Sequence, residues 1–211
     1  FVLRRMKEDV LKDLPPKITQ DYYCELSPIQ KLLYEDFAKE QKDKKAADYV
    51  SSADKSGGGH QHIFQALQYL RKVCNHPKLV LQKSHKHYDL VHQIMQENHT
   101  TLNSLVNAAK LPALKQLLLE CGIGDDNPNQ VVNQHRALIF CQLKSMMDNV
   151  ENDLLKTMPN LTYLRLDGSV PAIDRHGLVT KFNNDVSIDV LLLTTSVGKF
   201  YSEKKSIYCT N

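Results

Sequence analysis

The fold is decided by three apolar runs: ALIFC at residues 137–141, LTYLRL at 161–166 and IDVLLLT at 188–194. Each run is short enough to be a strand, and each is largely continuous in its apolar character instead of alternating with polar residues. Strands of this kind are buried on both faces, which is typical of a parallel sheet covered by helices.

The two segments between these runs have the apolar spacing of helices. We therefore predict an α/β fold in which strand, helix, strand, helix and strand follow one another in a right-handed βαβαβ arrangement. The apolar residues that we expect to face the sheet are Leu143, Met146, Met147, Val150, Leu154 and Leu155 in the first segment, and Ile173, Val179 and Phe182 in the second.

A helical region is predicted before the sheet. Ser27 and Pro28 form a plausible start for a first helix, after an extended arm at 18–26. A second helix is expected over about 61–75, with Ile63, Leu67, Leu70 and Cys74 on its apolar stripe, and a third over 112–121, before Gly122. The connection between the second and third helices is polar and rich in histidine.

Five segments follow from this pattern. We predict an extended arm and helix at 1–38, a disordered insertion at 39–60, a helical protrusion with its connections at 61–134, a partial α/β lobe at 135–195 and a divergent tail at 196–211. The insertion is predicted because it is polar, lacks periodicity and ends in three glycines.

Composition excludes several classes of protein. The net charge of +3 is too small to identify a nucleic-acid-binding protein by itself. No stretch approaches the roughly 18 apolar residues of a membrane span, and the charged N-terminal segment is unlike a signal peptide. The five cysteines lack C-x-x-C spacing, so we expect reduced, mostly buried thiols. Because the chain begins with Phe1, we expect it to belong to a longer reading frame.

The residues after each predicted strand point to a binding edge. In an open parallel sheet, ligands bind beyond the carboxyl ends of the strands. Small, polar and basic side chains at such an edge suit phosphate oxygens. Ordinary loop capping is the alternative, since Asp-Gly-Ser is also a common turn sequence. The residues concerned are Gln142, Lys144 and Ser145, then Asp167, Gly168 and Ser169, then Thr194, Thr195 and Ser196.

Two other kinds of site are weaker hypotheses. His60, His62, Cys74 and His76 supply the ligand types of a zinc site, but their spacing matches no usual zinc module, and helix packing explains Cys74 and His76 better. No G-x-x-x-x-G-K-[ST] loop occurs, and no acidic pair follows a strand as a magnesium site would require. We therefore expect no metal site in this chain and no nucleotide hydrolysis by this chain alone.

Four ordered stretches carry a resemblance to a known family. They are Leu3-Arg4-Arg5, Leu70-Arg71-Lys72 with Cys74-Asn75-His76-Pro77, Ala137 to Gln142, and Arg165-Leu166-Asp167-Gly168-Ser169. In this order they resemble the second RecA-like lobe of Snf-type remodelling ATPases in helicase superfamily two. The sequence between Leu14 and Phe37 is similar to that of the subfamily that removes TATA-box-binding protein from promoter DNA.

The resemblance implies a nuclear, ATP-driven translocase on double-stranded DNA that regulates transcription. It implies that ATP and Mg²⁺ are bound mainly by residues outside this chain. The partners that the resemblance implies are the DNA backbone, the first RecA-like lobe and, through other regions, TATA-box-binding protein. It implies no contact with a membrane. The residues that would touch or frame DNA are Gln142, Lys144, Arg165, Asp167, Gly168, Ser169, Arg175, Thr194 and Thr195, with Gly198 on the nucleotide side.

The sequence departs from the family after Thr195. A double-glycine loop normally follows, whereas this chain has Ser196-Val197-Gly198-Lys199, and the later arginine-finger block is missing. We expect the last strand to form an exposed apolar edge, which would make the lobe marginally stable and prone to associate. The alternative function is a truncated, non-catalytic module that binds DNA or a protein.

Overall fold

The computed structural model describes residues 18–51, 59–124 and 135–198. Its first part is helical, and its second part contains a parallel sheet with helices between the strands. The helices before the sheet are α1 (Pro28–Ser51), α2 (Gly59–Asn75), α3 (Tyr88–Glu97) and α4 (Lys110–Glu120), with short 3-10 turns at Pro77–Leu79 and Leu105–Asn107.

Helix α1 begins with a reciprocal cap between Ser27 and Gln30. The backbone N–H of Gln30 donates to Ser27 Oγ at 3.2 Å, and the backbone N–H of Ser27 donates to Gln30 Oε1 at 3.1 Å. This arrangement satisfies two amides that a helix start otherwise leaves unpaired. The prediction that a helix starts at Ser27-Pro28 is confirmed.

Helix α1 is longer than its apolar pattern indicates. It continues to Ser51, and α2 begins at Gly59, so the predicted disordered insertion at 39–60 is wrong over residues 39–51 and 59–60. The sequence there is rich in Lys, Gln, Glu and Ala, which have high intrinsic helix propensity even without an apolar stripe. Residues 52–58 of that insertion lie outside the described residues, as do 1–17, 125–134 and 199–211.

The apolar faces of the helical region differ from the predicted ones. Val73 is a fully buried apolar residue of α2, whereas Ile63 and Leu67 are 50% and 60% exposed. Helix α3 lies in the polar, histidine-rich connection, where we predicted no helix, and it buries Val91 and Met95. These three buried residues share one small core with Ile29, Leu33 and Leu81.

The three strands form one parallel sheet. Their bounds are Ala137–Cys141 for β1, Tyr163–Leu166 for β2 and Val190–Thr194 for β3. The spatial order is β1-β3-β2, with both neighbours parallel to β3. The α/β, RecA-like parallel sheet predicted from the sequence is confirmed.

Burial on both faces of the sheet is also confirmed. Alternate residues of β1 enter opposite cores: Ala137 and Ile139 pack in one, and Leu138 packs in the other. On β3, Leu192 lies in the first core and Leu191 in the second. Both cores therefore depend on the same strands.

The last strand is not an edge. β3 pairs with β1 on one side and with β2 on the other, so the expectation of an exposed apolar edge at the last strand is wrong. Its residues Val190–Thr194 are all buried, since a central strand is covered by both neighbours and by helices. The prediction of marginal stability rested on that exposed edge, so the position of β3 does not support it.

Two helical segments connect the strands. Between β1 and β2 lie α5 (Lys144–Asn149), a π-helical segment at Val150–Leu154 and a 3-10 turn at Leu155–Thr157. Between β2 and β3 lies α6 (Ala172–Asn184), which buries Phe182 but leaves Ile173 87% exposed, so Ile173 does not anchor this helix as predicted.

Within residues 18–51, 59–124 and 135–198, no helix combines the length and apolar character needed to cross a membrane. Four cysteines lie in these ranges: Cys24, Cys74, Cys121 and Cys141. Only Cys141 is buried, whereas Cys24, Cys74 and Cys121 are half-buried. The expectation of mostly buried thiols is therefore wrong for three of these four, and their reduced state stays a prediction.

Candidate nucleic-acid interface at the strand ends

The pairing register brings the three strand ends to one edge of the sheet. Cys141, the last residue of β1, pairs with Thr194 of β3, and Leu166 of β2 pairs with Leu193. The loops that follow these residues therefore begin side by side. This is the juxtaposition expected for the carboxyl edge of a parallel sheet.

The loop after β1 presents exposed polar side chains. Gln142, Lys144 and Ser145 are all exposed. Lys144 Nζ lies 3.8 Å from Asp167 Oδ2, and the Lys144 side chain is 57% exposed. Because 3.8 Å is too long for a hydrogen bond, the ammonium group keeps its donors for solvent or a ligand.

Arg165, near the end of β2, is the centre of a charged cluster. It contacts Asp167, with Nη2 to Oδ2 at 2.6 Å, and Asp148, with Nη2 to Oδ1 at 2.7 Å, and it also bonds Glu151. Glu151 in turn accepts a hydrogen bond from the Tyr163 hydroxyl at 3.0 Å. Burial lowers the pKa of Arg165, but the hydrogen bonds to the three carboxylates outweigh burial and raise it.

Asp167 organises the turn that follows β2. Its side chain is buried, and its Oδ1 accepts the backbone N–H of Ser169 at 2.7 Å and also the Ser169 hydroxyl. The Ser169 hydroxyl and then Arg165 hold the pKa of Asp167 well below its usual value, despite burial. Asp167 is therefore an ionised, inward-facing group that shapes the turn.

Gly168 leaves open space at the tip of this turn. A Cβ added to Gly168 would meet no heavy atom within 4 Å, and both Gly168 and Ser169 are exposed. A ligand can thus approach the backbone of this turn closely.

The loop after β3 is less open. Thr194 is buried, and its Oγ1 lies 3.3 Å from Ser196 Oγ. Thr195 is half-buried and begins a short final helix, α7 (Thr195–Gly198), which also contains Gly198. Ser196 is exposed, and Thr195 reaches the surface in part.

Arg175 lies on the first turns of α6 and is already engaged. Its Nε donates to the carbonyl oxygen of Val170 at 3.0 Å, and the residue is half-buried. This contact joins α6 to the loop after Asp167. A role for Arg175 on a phosphate stays a prediction.

The zinc hypothesis gains no support from the geometry. Across residues 18–51, 59–124 and 135–198, no group of three or more His, Cys, Asp or Glu side chains is arranged to hold a metal ion. His76 is fully buried and faces Asp153, and Cys74 is half-buried, with a pKa raised by burial. The side chains of His60 and His62 lie outside the described part.

Sequence reasoning missed two residues of the charged cluster. Asp148 and Glu151 are three positions apart on the segment after β1, and both reach Arg165 on β2. Acidic residues at this spacing lie on one helical face, which was the available signal. That spacing did not identify Arg165 as the partner, because the contact joins two elements that are separate in the sequence.

Two stretches of the sequence match models of known domain families. The chain matches the SNF2-related domain over residues 1–79 and the helicase conserved C-terminal domain over residues 109–199. The chain therefore carries stretches similar to an SNF2-related domain and to a helicase C-terminal domain, and the resemblance stated from its motifs is confirmed.

More specific similarity is to TATA-binding protein-associated factors. The chain is 56% identical to TATA-binding protein-associated factor 172 of Homo sapiens and 54% identical to TATA-binding protein-associated factor MOT1 of Saccharomyces cerevisiae, over 94% of this chain in each case. It spans 11% of the length of each relative.

A solved structure supports the same fold. The Sulfolobus solfataricus SWI2/SNF2 ATPase core in complex with double-stranded DNA superposes with a TM-score of 0.62 at 21% identity, over 92% of this chain and 35% of that one.

Proposed function

We propose that this chain is part of an ATP-dependent translocase on double-stranded DNA that displaces TATA-binding protein and thereby regulates transcription. The observation that carries the proposal is the exposed polar edge at the strand ends, because it lies within the residues that match the helicase C-terminal domain. Identity above 50% to two TATA-binding protein-associated factors supports the choice of displaced protein. This activity would place the protein in the nucleus.

DNA would be held at this edge through its phosphates. Gln142, Lys144 and Ser169 offer amide, ammonium and hydroxyl donors at the surface, and Gly168 permits close approach. Such groups grip a backbone without reading bases. Binding would therefore be insensitive to sequence and would weaken steeply as salt rises, since each phosphate contact releases counterions.

The remaining predicted residues would frame this contact. Thr195 reaches the surface beside Thr194, which is buried and supports the loop. Arg175 would act by holding Val170 in place, and Gly198 would lie towards the nucleotide.

ATP and Mg²⁺ would be held mainly by residues outside those described. Within residues 18–51, 59–124 and 135–198, no group of three or more His, Cys, Asp or Glu side chains could hold a metal ion. We propose that the first RecA-like lobe supplies these ligands and that this chain contributes DNA contacts. Bound ATP would supply the free energy for movement along DNA.

The proposal is tested with the intact native protein by two measurements. The first is ATP hydrolysis with and without duplex DNA, and the second is release of TATA-binding protein from a promoter duplex. We expect DNA to stimulate hydrolysis, and Lys144→Ala to lower both the stimulated rate and the release. Lys181→Ala is the matched control, because Lys181 is exposed near the C-terminal end of α6, far along the helix from the strand-end loops.

The second candidate is a non-catalytic module that binds DNA or a protein. The departure of the sequence after Thr195 favours it. It predicts DNA binding without hydrolysis, so hydrolysis stimulated by DNA would exclude it.

A further inference from the structure

Arg165 has little capacity left for a DNA phosphate. Its Nε donates to Asp167 Oδ2 at 3.0 Å, and its Nη2 lies 2.6 Å from the same oxygen and 2.7 Å from Asp148 Oδ1. Nη1 bonds Glu151. All three guanidinium nitrogens are thus engaged with carboxylates, and the side chain is only 25% exposed.

The charge around Arg165 also disfavours a phosphate. Three carboxylates surround one guanidinium, so the positive charge of Arg165 is more than balanced. An approaching phosphate would meet Asp148, which is 43% exposed, and would be repelled. Lys144, by contrast, extends into solvent with 57% of its side chain exposed.

Arg165 instead fixes the conformation of the turn after β2. The Asp167 carboxylate is shared: Oδ2 receives Arg165, and Oδ1 receives the Ser169 amide at 2.7 Å and its hydroxyl. The Val170 amide donates to the Asp167 carbonyl oxygen at 3.2 Å and closes the turn. Since Asp167 is 1% exposed, its charge needs a cation beside it, and Arg165 both neutralises and orients it.

We propose that Arg165 is a positioning residue: through Asp167 it fixes the exposed backbone of Gly168 and Ser169 for DNA, and it does not itself bind a phosphate. This inference rests on the proposed DNA-binding role of the edge. Asp148 and Glu151, which are three residues apart, hold the other side of the guanidinium and tie the turn to the segment after β1.

The first test compares Arg165→Gln with Lys144→Gln in the intact native protein, by the salt dependence of binding to a duplex. Each lost phosphate contact makes the slope of log K against log salt shallower by about 0.9. We expect Lys144→Gln to show that change, and Arg165→Gln to bind more weakly with the wild-type slope. A slope for Arg165→Gln as shallow as that of Lys144→Gln would overturn the inference.

The second test needs no DNA and uses hydrogen–deuterium exchange at the amides of Ser169 and Val170. We expect Arg165→Gln to speed this exchange, and Arg165→Lys to do so as well, because a single ammonium cannot reproduce the fork that joins three carboxylates. Arg165→Lys keeps the positive charge, and its exchange can be measured in place of that of Arg165→Gln if the glutamine variant does not fold. Exchange unchanged in Arg165→Lys, together with wild-type affinity, would mean that Arg165 acts as a simple cation and would refute the inference.

The two tests separate this inference from the proposed function. If Lys144→Gln leaves DNA affinity and slope unchanged, the proposed DNA edge fails. Faster exchange in the Arg165 variants would then still support the control of the turn by Arg165.

Discussion

The imidazole of His76 faces the carboxylate of Asp153 inside the protein, with Nε2 and Oδ2 3.7 Å apart. His76 Nδ1 accepts the backbone N–H of Lys78 at 3.1 Å, so the ring proton of the neutral form resides on Nε2 and points towards Asp153. The separation exceeds a hydrogen bond, and neither atom has a hydrogen-bond partner, although Lys78 Nζ lies 3.9 Å from Asp153 Oδ2. This pair links the end of α2 to the π-helical segment after α5.

The burial of His76 predicts a loss of stability in mild acid. Burial, and then Lys78, lower the pKa of His76 from 6.5 to about 4. Between these values the unfolded chain binds a proton that the folded chain excludes, so the free energy of unfolding falls as pH drops from 6.5 towards 4, by up to about 3 kcal/mol from this residue. Urea unfolding of the 211-residue chain at several pH values measures the change.

The variant His76→Gln isolates the histidine. Burial raises the pKa of Asp153, which acts in the opposite direction because that stability is lost as pH rises, but Asp153 is present in both proteins. We expect the variant to be less sensitive to pH between 6.5 and 4. An equal pH dependence in wild type and variant would contradict the assignment.

Gln30 should be a main source of stability in the helical region. It is fully buried, and its amide donates to the carbonyl oxygens of Val73 and Cys74, while its Oε1 accepts the amides of Ser27 and Ala109. Gln30→Ala leaves these buried groups unpaired, and we expect the free energy of unfolding to fall by about 3 kcal/mol.

The control for Gln30 is the next residue. Lys31 has a side chain that is 55% exposed, so Lys31→Ala should change stability by no more than about 0.5 kcal/mol. Equal effects of the two variants would show that the buried network contributes little.

Gly168 should matter for DNA but not for folding. A methyl group there meets no protein atom within 4 Å, so Gly168→Ala should unfold at the wild-type temperature. If a DNA backbone approaches the turn closely, the methyl group causes a clash of about 1–3 kcal/mol, which weakens binding at least about fivefold.

Gly177→Ala is matched to Gly168→Ala, since a Cβ at Gly177 also meets nothing within 4 Å. Gly177 lies within α6, where alanine should stabilise the helix by up to about 1 kcal/mol and leave DNA binding unchanged. Wild-type affinity in Gly168→Ala would argue against close approach of DNA at the turn.

The strands were predictable because their apolar runs are continuous, and β1 matches its predicted bounds Ala137–Cys141. The central position of β3 in the sheet could not be predicted, because the order of strands depends on which helices cover which face. Helix α1 is longer than its apolar periodicity predicts. Periodicity detects only a buried helical face, whereas residues 39–51 have high helix propensity without an apolar stripe.

The candidate site was predictable as a set of residue types, but its internal contacts were not. Parallel strands bring their carboxyl ends together, so Lys144, Gly168 and Thr195 could be grouped from sequence alone. The engagement of Arg165 with Asp148 and Glu151 depends on how the segment after β1 packs against β2, which no local pattern encodes.

The most direct test of the central claim is the salt dependence of duplex binding by the intact native protein, by Lys144→Ala and by Lys181→Ala. If the strand-end edge grips DNA phosphates, affinity falls steeply with salt in the wild type, and the slope of log K against log salt is shallower by about 0.9 in Lys144→Ala and unchanged in Lys181→Ala. Identical slopes for all three proteins, or binding that is insensitive to salt, would contradict the account.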